Sequence, residues 1–341
     1  MTTLVTGAAG FIGYHVARTL LSRGDSVVGI DNLNPYYDPQ LKEDRLAELR
    51  TLSPDRFQLR QVDFSDHEAL DRALDGATFD RIVHLGAQAG VRHSIEQPRS
   101  YVSANLAGHL NMLELARQRR SSHFVYASSS SVYGGNDSLP FRVEDRVDHP
   151  ISLYAATKRA DELMSEAYSH LYRIPATGLR FFTVYGPWGR PDMALWIFTR
   201  KILAGEPIQL FNQGKMRRDF TYVDDIVAGV IACHDKPPRD DGLEKAGGSH
   251  SPHSIYNIGN DRAEELTTLV EIIERACGRK ARLELLPMQA GDVAETLADI
   301  SAIRRDMGFA PATTIETGVP RFVSWYLDYR ARRDARVTSL A

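Results

Sequence analysis

Short apolar runs alternate with helical patterns along the first half of the chain. Within residues 11–22, Ile12, Val16 and Leu20 recur at the spacing that places them on one face of a helix. Apolar runs typical of strands cover residues 3–6, 26–30, 58–62, 81–85, 124–127 and 176–181, and further helical patterns cover 66–74, 103–119 and 153–172. Strands separated by helices predict an α/β protein whose parallel sheet is doubly wound, with helices on both faces.

Beyond about residue 180 this regular alternation stops. Strand patterns at 208–211 and 255–258 mix with helical patterns at 225–233 and 267–277. We therefore predict two domains. Residues 1–180, with 224–255 returning to them, form the doubly wound domain, and 181–223 and 256–330 form a smaller α/β domain that binds the substrate. In doubly wound sheets ligands bind beyond the carboxyl ends of the strands, so residues just after each strand are the candidates for chemistry.

Composition and charge exclude several classes of function. The 341 residues include 41 Lys and Arg against 44 Asp and Glu, a net charge of −3, so there is no basic excess for nucleic acid or for an anionic membrane. The apolar stretch 226–233 is far shorter than the about 20 residues of a membrane-spanning helix. Cys233 and Cys277 are too few for a disulfide framework, and residues 1–3 lack the basic start of a signal peptide. We therefore expect a cytoplasmic protein.

Three glycines fall in the turn between the first strand and the first helix. Gly7, Gly10 and Gly13 allow a tight turn and a close approach of the backbone to a pyrophosphate at the helix N-terminus. Asp31 ends the second strand, where a carboxylate bonds both hydroxyls of an adenine ribose. No arginine follows directly to receive a 2′-phosphate, so this Rossmann-type pattern predicts NAD rather than NADP. Asp63, after the third strand, either contacts the adenine or caps the next helix.

A tyrosine and a lysine lie four residues apart in the helical pattern at 153–172. Tyr154 and Lys158 therefore share one helix face, and a serine run at 128–131 follows the fifth strand. Together they can meet over a nicotinamide, where a neighbouring ammonium favours the phenolate form of Tyr154 and lets it act as a base. Lys158 would also hold the nicotinamide ribose, and Ser129 would bridge Tyr154 and the substrate oxygen. A surface tyrosine beside an exposed lysine is the alternative.

These motifs resemble the extended short-chain dehydrogenase/reductase superfamily. The stretch TVYGPWGRPDMA at residues 183–194 closely resembles the UDP-glucuronate 4-epimerases. Similar segments lie at 6–13, 31–34, 84–92, 179–182, 214–222 and 286–293, so the resemblance spans about residues 3–329. It implies that bound NAD accepts a hydride from C4 of a UDP-linked uronic acid while Tyr154 takes the O4 proton. The hydride then returns to the other face of the 4-keto sugar, and no metal takes part.

The resemblance also implies which residues make up the two binding sites. For NAD they are Gly7, Gly10, Phe11, Ile12, Gly13, Asp31, Asn32, Asp63, Phe64, Leu85, Ala87, Gln88, Asn105, Tyr154, Lys158 and Phe181. For UDP-glucuronate or UDP-galacturonate they are Arg92, Ser129, Ser130, Ser131, Thr183, Arg190, Arg218, Gln289 and Asp292. Gln289 stands where galactose-type relatives carry arginine. The competing interpretation for Arg92 is a surface salt bridge. For Arg190 it is either orienting the loop at 186–190 or contacting the pyrophosphate.

The positions after Ser129 separate the reactions that relatives perform on this scaffold. Similar 4,6-dehydratases carry an Asp-Glu pair there and UDP-glucuronate decarboxylases a glutamate, whereas this chain has Ser130 and Ser131. UDP-galactose 4-epimerases carry asparagine in place of Thr183. Serine and threonine hydroxyls can hold an acidic sugar with neutral hydrogen bonds, so the sequence favours epimerisation of UDP-glucuronate. A UDP-glucose 4-epimerase, a decarboxylase and an inactive NAD-sensing relative remain the alternatives.

Two helical patterns, 103–119 and 153–172, are apolar on more than one face. The sheet can bury only one side of each helix. The resemblance implies that the remaining sides pair across a two-fold axis as a four-helix bundle, so we expect a homodimer. The apolar residues concerned are Leu106, Leu110, Leu113, Leu163, Met164 and Leu171.

Overall fold

The computed structural model describes residues 1–289 and 291–340. Its strands are β1 (Thr2–Thr6), β2 (Ser26–Asp31), β3 (Phe57–Gln61), β4 (Arg81–His84), β5 (Phe124–Ser129), β6 (Ala176–Phe181), β7 (Thr183–Tyr185), β8 (Pro207–Leu210), β9 (Arg217–Tyr222), β10 (His253–Ile258), β11 (Ala263–Glu265) and β12 (Arg282–Leu285). Its α-helices are α1 (Phe11–Ser22), α2 (Pro39–Leu52), α3 (His67–Ala73), α4 (His93–Glu96), α5 (Pro98–Tyr101), α6 (Gly108–Gln118), α7 (Leu153–Tyr172), α8 (Ala194–Ala204), α9 (Val223–Asp235), α10 (Leu266–Cys277), α11 (Ser301–Met307) and α12 (Ile315–Leu340).

Seven strands form one parallel sheet in the order β10-β6-β5-β4-β1-β2-β3. Every neighbouring pair in it runs parallel. The chain order reverses between β1 and β4, which opens a crevice beyond their carboxyl ends. The doubly wound α/β prediction is therefore confirmed.

Successive residues of β1 face opposite sides of this sheet, as the period of two along a strand requires. Val5 packs in the cluster that contains Val16 of α1 and Ile226 of α9. Leu4 packs in a separate cluster with Met112 of α6. All five side chains are at most 1% exposed, so both faces of the sheet are sealed by helices.

The smaller sheets lie in the second half of the chain. Strand β9 pairs in parallel with β7 and antiparallel with β11, and β12 pairs in parallel with β8. The return segment predicted at 224–255 ends inside β10, yet residues 253–258 all pair with β6 in the large sheet. Helix α11 packs against β10 and α9 as well. Residues 256–258 and 301–307 therefore lie with the larger sheet, and the wider two-domain division stays a prediction.

The helix predicted at 103–119 is present, but it is not α-helical throughout. A π-helical segment, Val102–Ala107, precedes α6 and carries Asn105. π-helical turns inside α-helices often occur at functional sites, because the extra residue redirects a side chain.

Candidate active site

The glycine turn lies between β1 and α1, and its backbone leaves no room for side chains. A Cβ on Gly13 would lie 2.0 Å from the carbonyl oxygen of Gly7, and one on Gly10 would lie 2.9 Å from the same oxygen. Gly7 itself has a φ of +68°, in the left-handed region that favours glycine. The close packing at these three positions is what a backbone cradle for a pyrophosphate needs.

Asp31 ends β2 and its carboxylate is held by two backbone amides. Its Oδ2 accepts a hydrogen bond from the Ala9 N–H at 3.1 Å, and its Oδ1 accepts one from the Leu33 N–H at 2.9 Å. The side chain is therefore fixed at the rim of the cleft beside the glycine turn. A rigid carboxylate at this place fits the hydroxyls of an adenine ribose.

A cation that no sequence motif marked also lies beside Asp31. The ammonium of Lys42, on α2, is 3.9 Å from Asp31 Oδ1 and donates to the backbone and side-chain oxygens of Asn34, each at 2.9 Å. Burial lowers the pKa of Lys42, while Asp31 acts in the opposite direction. The inference of NAD from the lack of an arginine therefore overlooked a neighbouring cation, although Asn34 holds that cation in place.

Asp63, which follows β3, lines the cleft and is not a helix cap. Its carboxylate accepts hydrogen bonds from the Asn32 amide at 3.0 Å and from the Ser65 N–H at 2.9 Å. Asp66 caps α3 instead, accepting from the Ala69 N–H at 3.0 Å. Burial opposes the charged form of Asp63, but the bonds from Ser65 and Asn32 lower its pKa.

Ser129, Tyr154 and Lys158 line the other end of the same cleft, beside Phe181. The Lys158 side chain is buried, and its ammonium donates to the Ala127 carbonyl at 2.9 Å and to the Asp161 carboxylate at 3.0 Å. Two of its three protons are thus used behind the cleft, and one is left for a ligand or for Tyr154.

All but one of the residues predicted to bind NAD line this cleft. They are Gly7, Gly10, Phe11, Ile12, Gly13, Asp31, Asn32, Asp63, Phe64, Leu85, Ala87, Gln88, Tyr154, Lys158 and Phe181. The exception is Asn105, which is 1% exposed and lies behind the residues that line the cleft. Its side chain bonds both backbone groups of Gln88 and donates to the Thr157 hydroxyl at 3.0 Å. Asn105 therefore positions Gln88 at the cleft wall.

A second cavity adjoins the cleft and holds five of the residues predicted to bind substrate. They are Ser130, Ser131, Thr183, Arg218 and Asp292. Ser129 and Ser130 are neighbours in the chain but line different cavities, so the serine run lies at the boundary between the two. A substrate in the second cavity would therefore reach the Ser129–Tyr154–Lys158 end of the cleft.

Two arginines lie close to Asp292. Arg92 donates to its carboxylate at 3.2 Å and stacks over the Phe211 ring at 5.0 Å, and its side chain is 56% exposed. Burial lowers the pKa of Arg218, with Asp292 acting in the opposite direction. The salt bridge considered for Arg92 is thus present, and its acidic partner Asp292 lines the second cavity. Paired guanidinium groups of this kind suit a diphosphate.

Arg190 and Gln289 lie apart from that cavity. Arg190 lines the cleft and forms two hydrogen bonds with Asp192, at 2.9 and 3.0 Å, while the Tyr36 hydroxyl donates to the same carboxylate. Burial opposes the charge on Arg190, but Asp192 raises its pKa. These contacts favour the loop-orienting role. Gln289 lines neither cavity, and its buried Oε1 has no hydrogen-bond partner among the described residues.

The helix that carries the catalytic pair begins with a serine cap. The Ser152 hydroxyl accepts a hydrogen bond from the Ala155 N–H at 3.1 Å. We expect Ser152→Ala to lower the free energy of unfolding by about 1 kcal/mol, and Ser152→Gly by only a few tenths, because glycine is tolerated at this position. Urea denaturation of both variants measures the difference. Equal losses would show that the hydroxyl does not cap α7.

Neither a metal centre nor a spanning helix is present in the described residues. No group of three or more His, Cys, Asp or Glu side chains is placed to hold a metal ion in residues 1–289 and 291–340. Over the same part of the chain, no helix is both long and apolar enough to cross a membrane.

The glycine turn, the fixed carboxylate and the tyrosine–lysine pair lie in the crevice of a doubly wound sheet. A comparison with family models matches residues 3–259 to the NAD dependent epimerase/dehydratase family. The chain belongs to this family.

Several known proteins are similar to this chain over nearly its whole length. A probable UDP-glucuronate 4-epimerase of Rhizobium meliloti is 48% identical, covering 98% of each chain. An uncharacterized 37.6 kDa protein of Escherichia coli is 50% identical over 96% of this chain and 99% of its own. Among solved structures, UDP-glucuronic acid 4-epimerase of Bacillus cereus in complex with UDP-glucuronic acid and NAD superposes with a TM-score of 0.86. It is 30% identical, over 96% of this chain and 100% of that chain.

Proposed function

We propose that this protein is a UDP-glucuronate 4-epimerase, which converts UDP-glucuronate to UDP-galacturonate with resident NAD. One observation carries the proposal: the Ser129–Tyr154–Lys158 end of the cleft adjoins a second cavity lined by Ser130, Ser131 and Thr183. The first group suits proton transfer at a sugar hydroxyl, and the second suits an acidic sugar. The named relatives support the same reaction.

The cleft fits NAD through its own donor set. The glycine turn would hold the pyrophosphate, Asp31 the adenine ribose, and Lys158 the nicotinamide ribose. When bound, NAD would supply the acceptor for the hydrogen on C4 and return it later. Asn105 and Gln88 keep the wall of the cleft fixed beside the reacting end.

Proton movement at the sugar O4 falls to Tyr154. A tyrosine phenol in water has a pKa of about 10, so a tyrosine that acts as a base at neutral pH needs a nearby positive charge. Lys158 supplies that charge from the next turn of α7, held by Ala127 and Asp161. Ser129 would orient O4 toward Tyr154, since its side chain lines the same part of the cleft. Tyr154 would return the proton when the inverted sugar forms.

The substrate carboxylate makes a chemical hazard that the second cavity can control. A ketone at C4 beside the C5 carboxylate is a β-keto acid, which loses carbon dioxide when the carboxylate bond stands perpendicular to the carbonyl plane. Hydroxyls of Ser130, Ser131 and Thr183 would hold the carboxylate in an unreactive orientation. These groups cannot act as the acid–base pair that elimination requires.

The nucleotide would occupy the mouth of the second cavity. Arg218 and Arg92 would bond the diphosphate, and Asp292 would accept from a ribose hydroxyl. Gln289, whose buried Oε1 has no hydrogen-bond partner within residues 1–289 and 291–340, would have to turn to contact the nucleotide.

Incubation with UDP-glucuronate, without added NAD, tests the proposed function. UDP-galacturonate is the expected product, identified by chromatography and NMR. UDP-glucose is assayed in parallel. Faster turnover of UDP-glucose would indicate a neutral-sugar epimerase, and release of carbon dioxide with a UDP-pentose would indicate a decarboxylase. Either outcome would overturn the proposal, as would no reaction with any sugar.

NAD should remain bound through purification. The hydrogen removed from C4 must return to the same sugar. Loss of the cofactor during the cycle would leave a 4-keto sugar that cannot be reduced. We expect NAD in the supernatant of denatured protein, at close to one per chain, and full activity without added cofactor. A complete dependence on added cofactor, or a preference for NADP, would contradict this and the role of Asp31.

We also propose a homodimer built on α6 and α7. Leu110, Leu163 and Leu171 are 41%, 55% and 65% exposed, which leaves an apolar surface on these helices. Leu106 and Met164 are half-buried, whereas Leu113 is buried in the core and does not contribute to the surface.

Light scattering tests the dimer. The native protein should have twice the mass of one chain, and Leu163→Asp should reduce it to that of one chain because a buried unpaired charge is unfavourable. Leu283→Asp, which alters an exposed leucine of β12, serves as the control. A native mass of one chain at micromolar concentration would refute the dimer.

A cytoplasmic location completes the proposal. Cys233 and Cys277 are free thiols, and burial raises the pKa of Cys277 to about 11, so it resists oxidation. Free thiols are typical of reducing compartments. Cell fractionation tests the location, and recovery from an extracellular fraction would contradict it.

A further inference from the structure

A buried carboxylate lies directly behind the catalytic lysine. Tyr154, Lys158 and Asp161 follow one another at intervals of four and three residues, so they share one face of α7. Asp161 Oδ2 accepts from the Lys158 ammonium at 3.0 Å, and the two side chains are 1% and 3% exposed. Asp161 Oδ1 is buried and has no hydrogen-bond partner among the described residues. The carboxylate is therefore committed to Lys158 alone.

The other groups around Asp161 supply little charge. Glu162, its neighbour on α7, forms an ion pair with Arg180, whose Nε donates to Glu162 Oε1 at 2.8 Å. His109 on α6 bonds the Ser165 hydroxyl at 2.9 Å, and burial holds its pKa well below the usual value, so it is neutral. The same is true of His84 on β4, which faces Lys158 and whose pKa burial lowers to about 3. Tyr126 on β5 is also neutral, since burial raises its pKa well above 10.

The ionised carboxylate is costly at this position. Burial raises the pKa of Asp161 from 3.8 to about 6, with Glu162 adding to the rise and Lys158 opposing it. Because the folded-state pKa lies above the unfolded value, stability falls as pH rises from about 3.8 to 6 and Asp161 ionises. A site that keeps this charge at neutral pH sacrifices stability to do so. The effect of the Asp161 charge on Lys158, and through Lys158 on Tyr154, is a functional reason for this loss of stability.

We propose that Asp161 is a positioning residue that anchors Lys158 and sets, by its negative charge, the pH at which Tyr154 becomes an effective base. The inference rests on the proposed function. With Asp161 ionised, the lysine and the carboxylate together are neutral, and Tyr154 feels only part of the ammonium's field. With that charge removed, the whole field acts on Tyr154 and favours its phenolate. Asp161 therefore keeps the tyrosine protonated to higher pH than Lys158 alone would.

The size of the effect follows from the helix geometry. Seven residues of α-helix span about 10 Å, which we take as the order of the separation between the Tyr154 oxygen and the Asp161 carboxylate. A unit charge at that distance, in a medium with an effective dielectric constant of about 20, shifts the ionisation of Tyr154 by about one pH unit. Asp161→Asn keeps an oxygen that can accept from Lys158 and removes only the charge. It should move the midpoint of Tyr154 ionisation about one pH unit lower.

Ultraviolet titration of purified holoprotein measures this directly, since tyrosinate absorbs at longer wavelength than tyrosine. The signal of Tyr154 is isolated by subtracting the titration of Tyr154→Phe in the same background. The rise of kcat/KM with pH for UDP-glucuronate should shift with it. Glu166→Gln is the matched control, because it removes a carboxylate from the same helix that bonds His253 and Ser249 instead. It can lower stability but should leave the Tyr154 midpoint unchanged.

An unchanged midpoint in folded Asp161→Asn would overturn the inference, as would an equal shift in Glu166→Gln. If Asp161→Asn does not fold, Asp161→Ser removes the same charge and carries the same expectation. The titration needs no substrate, so it tests the role of Asp161 independently of the proposed function. If UDP-glucuronate is not epimerised, only the function fails. If it is epimerised and the midpoint does not move, only the role of Asp161 fails.

Discussion

Replacing Tyr154 by phenylalanine should lower kcat for UDP-glucuronate by about 10²–10⁴-fold, the usual contribution of a general acid–base group. The change removes one oxygen and keeps the ring, which packs edge-on against Tyr101 with centroids 6.0 Å apart. Folding and NAD content should therefore stay normal. Steady-state kinetics, together with the melting temperature and the released NAD, measures all three.

Tyr172→Phe is the control for this change. Tyr172 ends the same helix, is 48% exposed, and packs against Tyr168 and Arg117 far from the cleft. It should turn over UDP-glucuronate at the native rate. Near-native turnover in Tyr154→Phe would remove Tyr154 from the proton transfer.

Thr183→Ala should change the fate of the 4-keto acid rather than its formation. Thr183 begins β7 and lines the second cavity with Ser130 and Ser131. Loss of one hydrogen bond to a charged group costs about 1.5–3 kcal/mol, which corresponds to a fall in epimerisation of about 10- to 150-fold. The less restrained carboxylate can then turn toward the perpendicular orientation, so a trace of decarboxylated 4-keto pentose should appear.

Thr183→Ser, which keeps the hydroxyl, is the matched control and should restore the native product ratio. The competing interpretation is that Thr183 only supports the turn at residues 185–187. That role would lower the melting temperature of Thr183→Ala without changing the products. An unchanged ratio of decarboxylated to epimerised product would therefore exclude the carboxylate contact.

The large sheet was predictable because its signals are local. Most of its strands have apolar centres, although β3 is mainly polar. The three turn positions must be glycine because Gly7, Gly10 and Gly13 have no room for a Cβ. Tyr154 and Lys158 were predictable for the same reason, since their spacing on one helix face is a local property.

Helix α2 lacks a clear apolar periodicity, but the sequence before it carries a capping signal that the prediction did not use. Asp38 caps it by accepting from the Gln40 N–H at 3.0 Å, and Pro39 occupies its first turn. The helix is mostly polar, and only Leu41, Leu46 and Leu49 among its apolar side chains are buried. Because α2 was not predicted, the sequence analysis did not place Lys42 of that helix beside Asp31.

Long-range contacts between polar side chains could not be predicted from any pattern in the sequence. Arg45 is completely buried and donates to the carbonyl oxygens of Ala9 at 2.7 Å and Trp188 at 2.6 Å, which ties the glycine turn to a loop far along the chain. Asn105 lies in a π-helical segment and bonds Gln88, 17 residues earlier in the chain. Such contacts depend on tertiary packing rather than on local spacing.

Deuterium at C4 of UDP-glucuronate offers the most direct test of the central claim, which is inversion by removal and return of one hydrogen at that carbon. The labelled sugar is incubated with purified protein in ordinary water, and the product is analysed by NMR and mass spectrometry. We expect UDP-galacturonate that retains the deuterium at C4, and the same final ratio of epimers when the reaction starts from UDP-galacturonate. Loss of the label to water, or a pentose as the main product, would contradict the account.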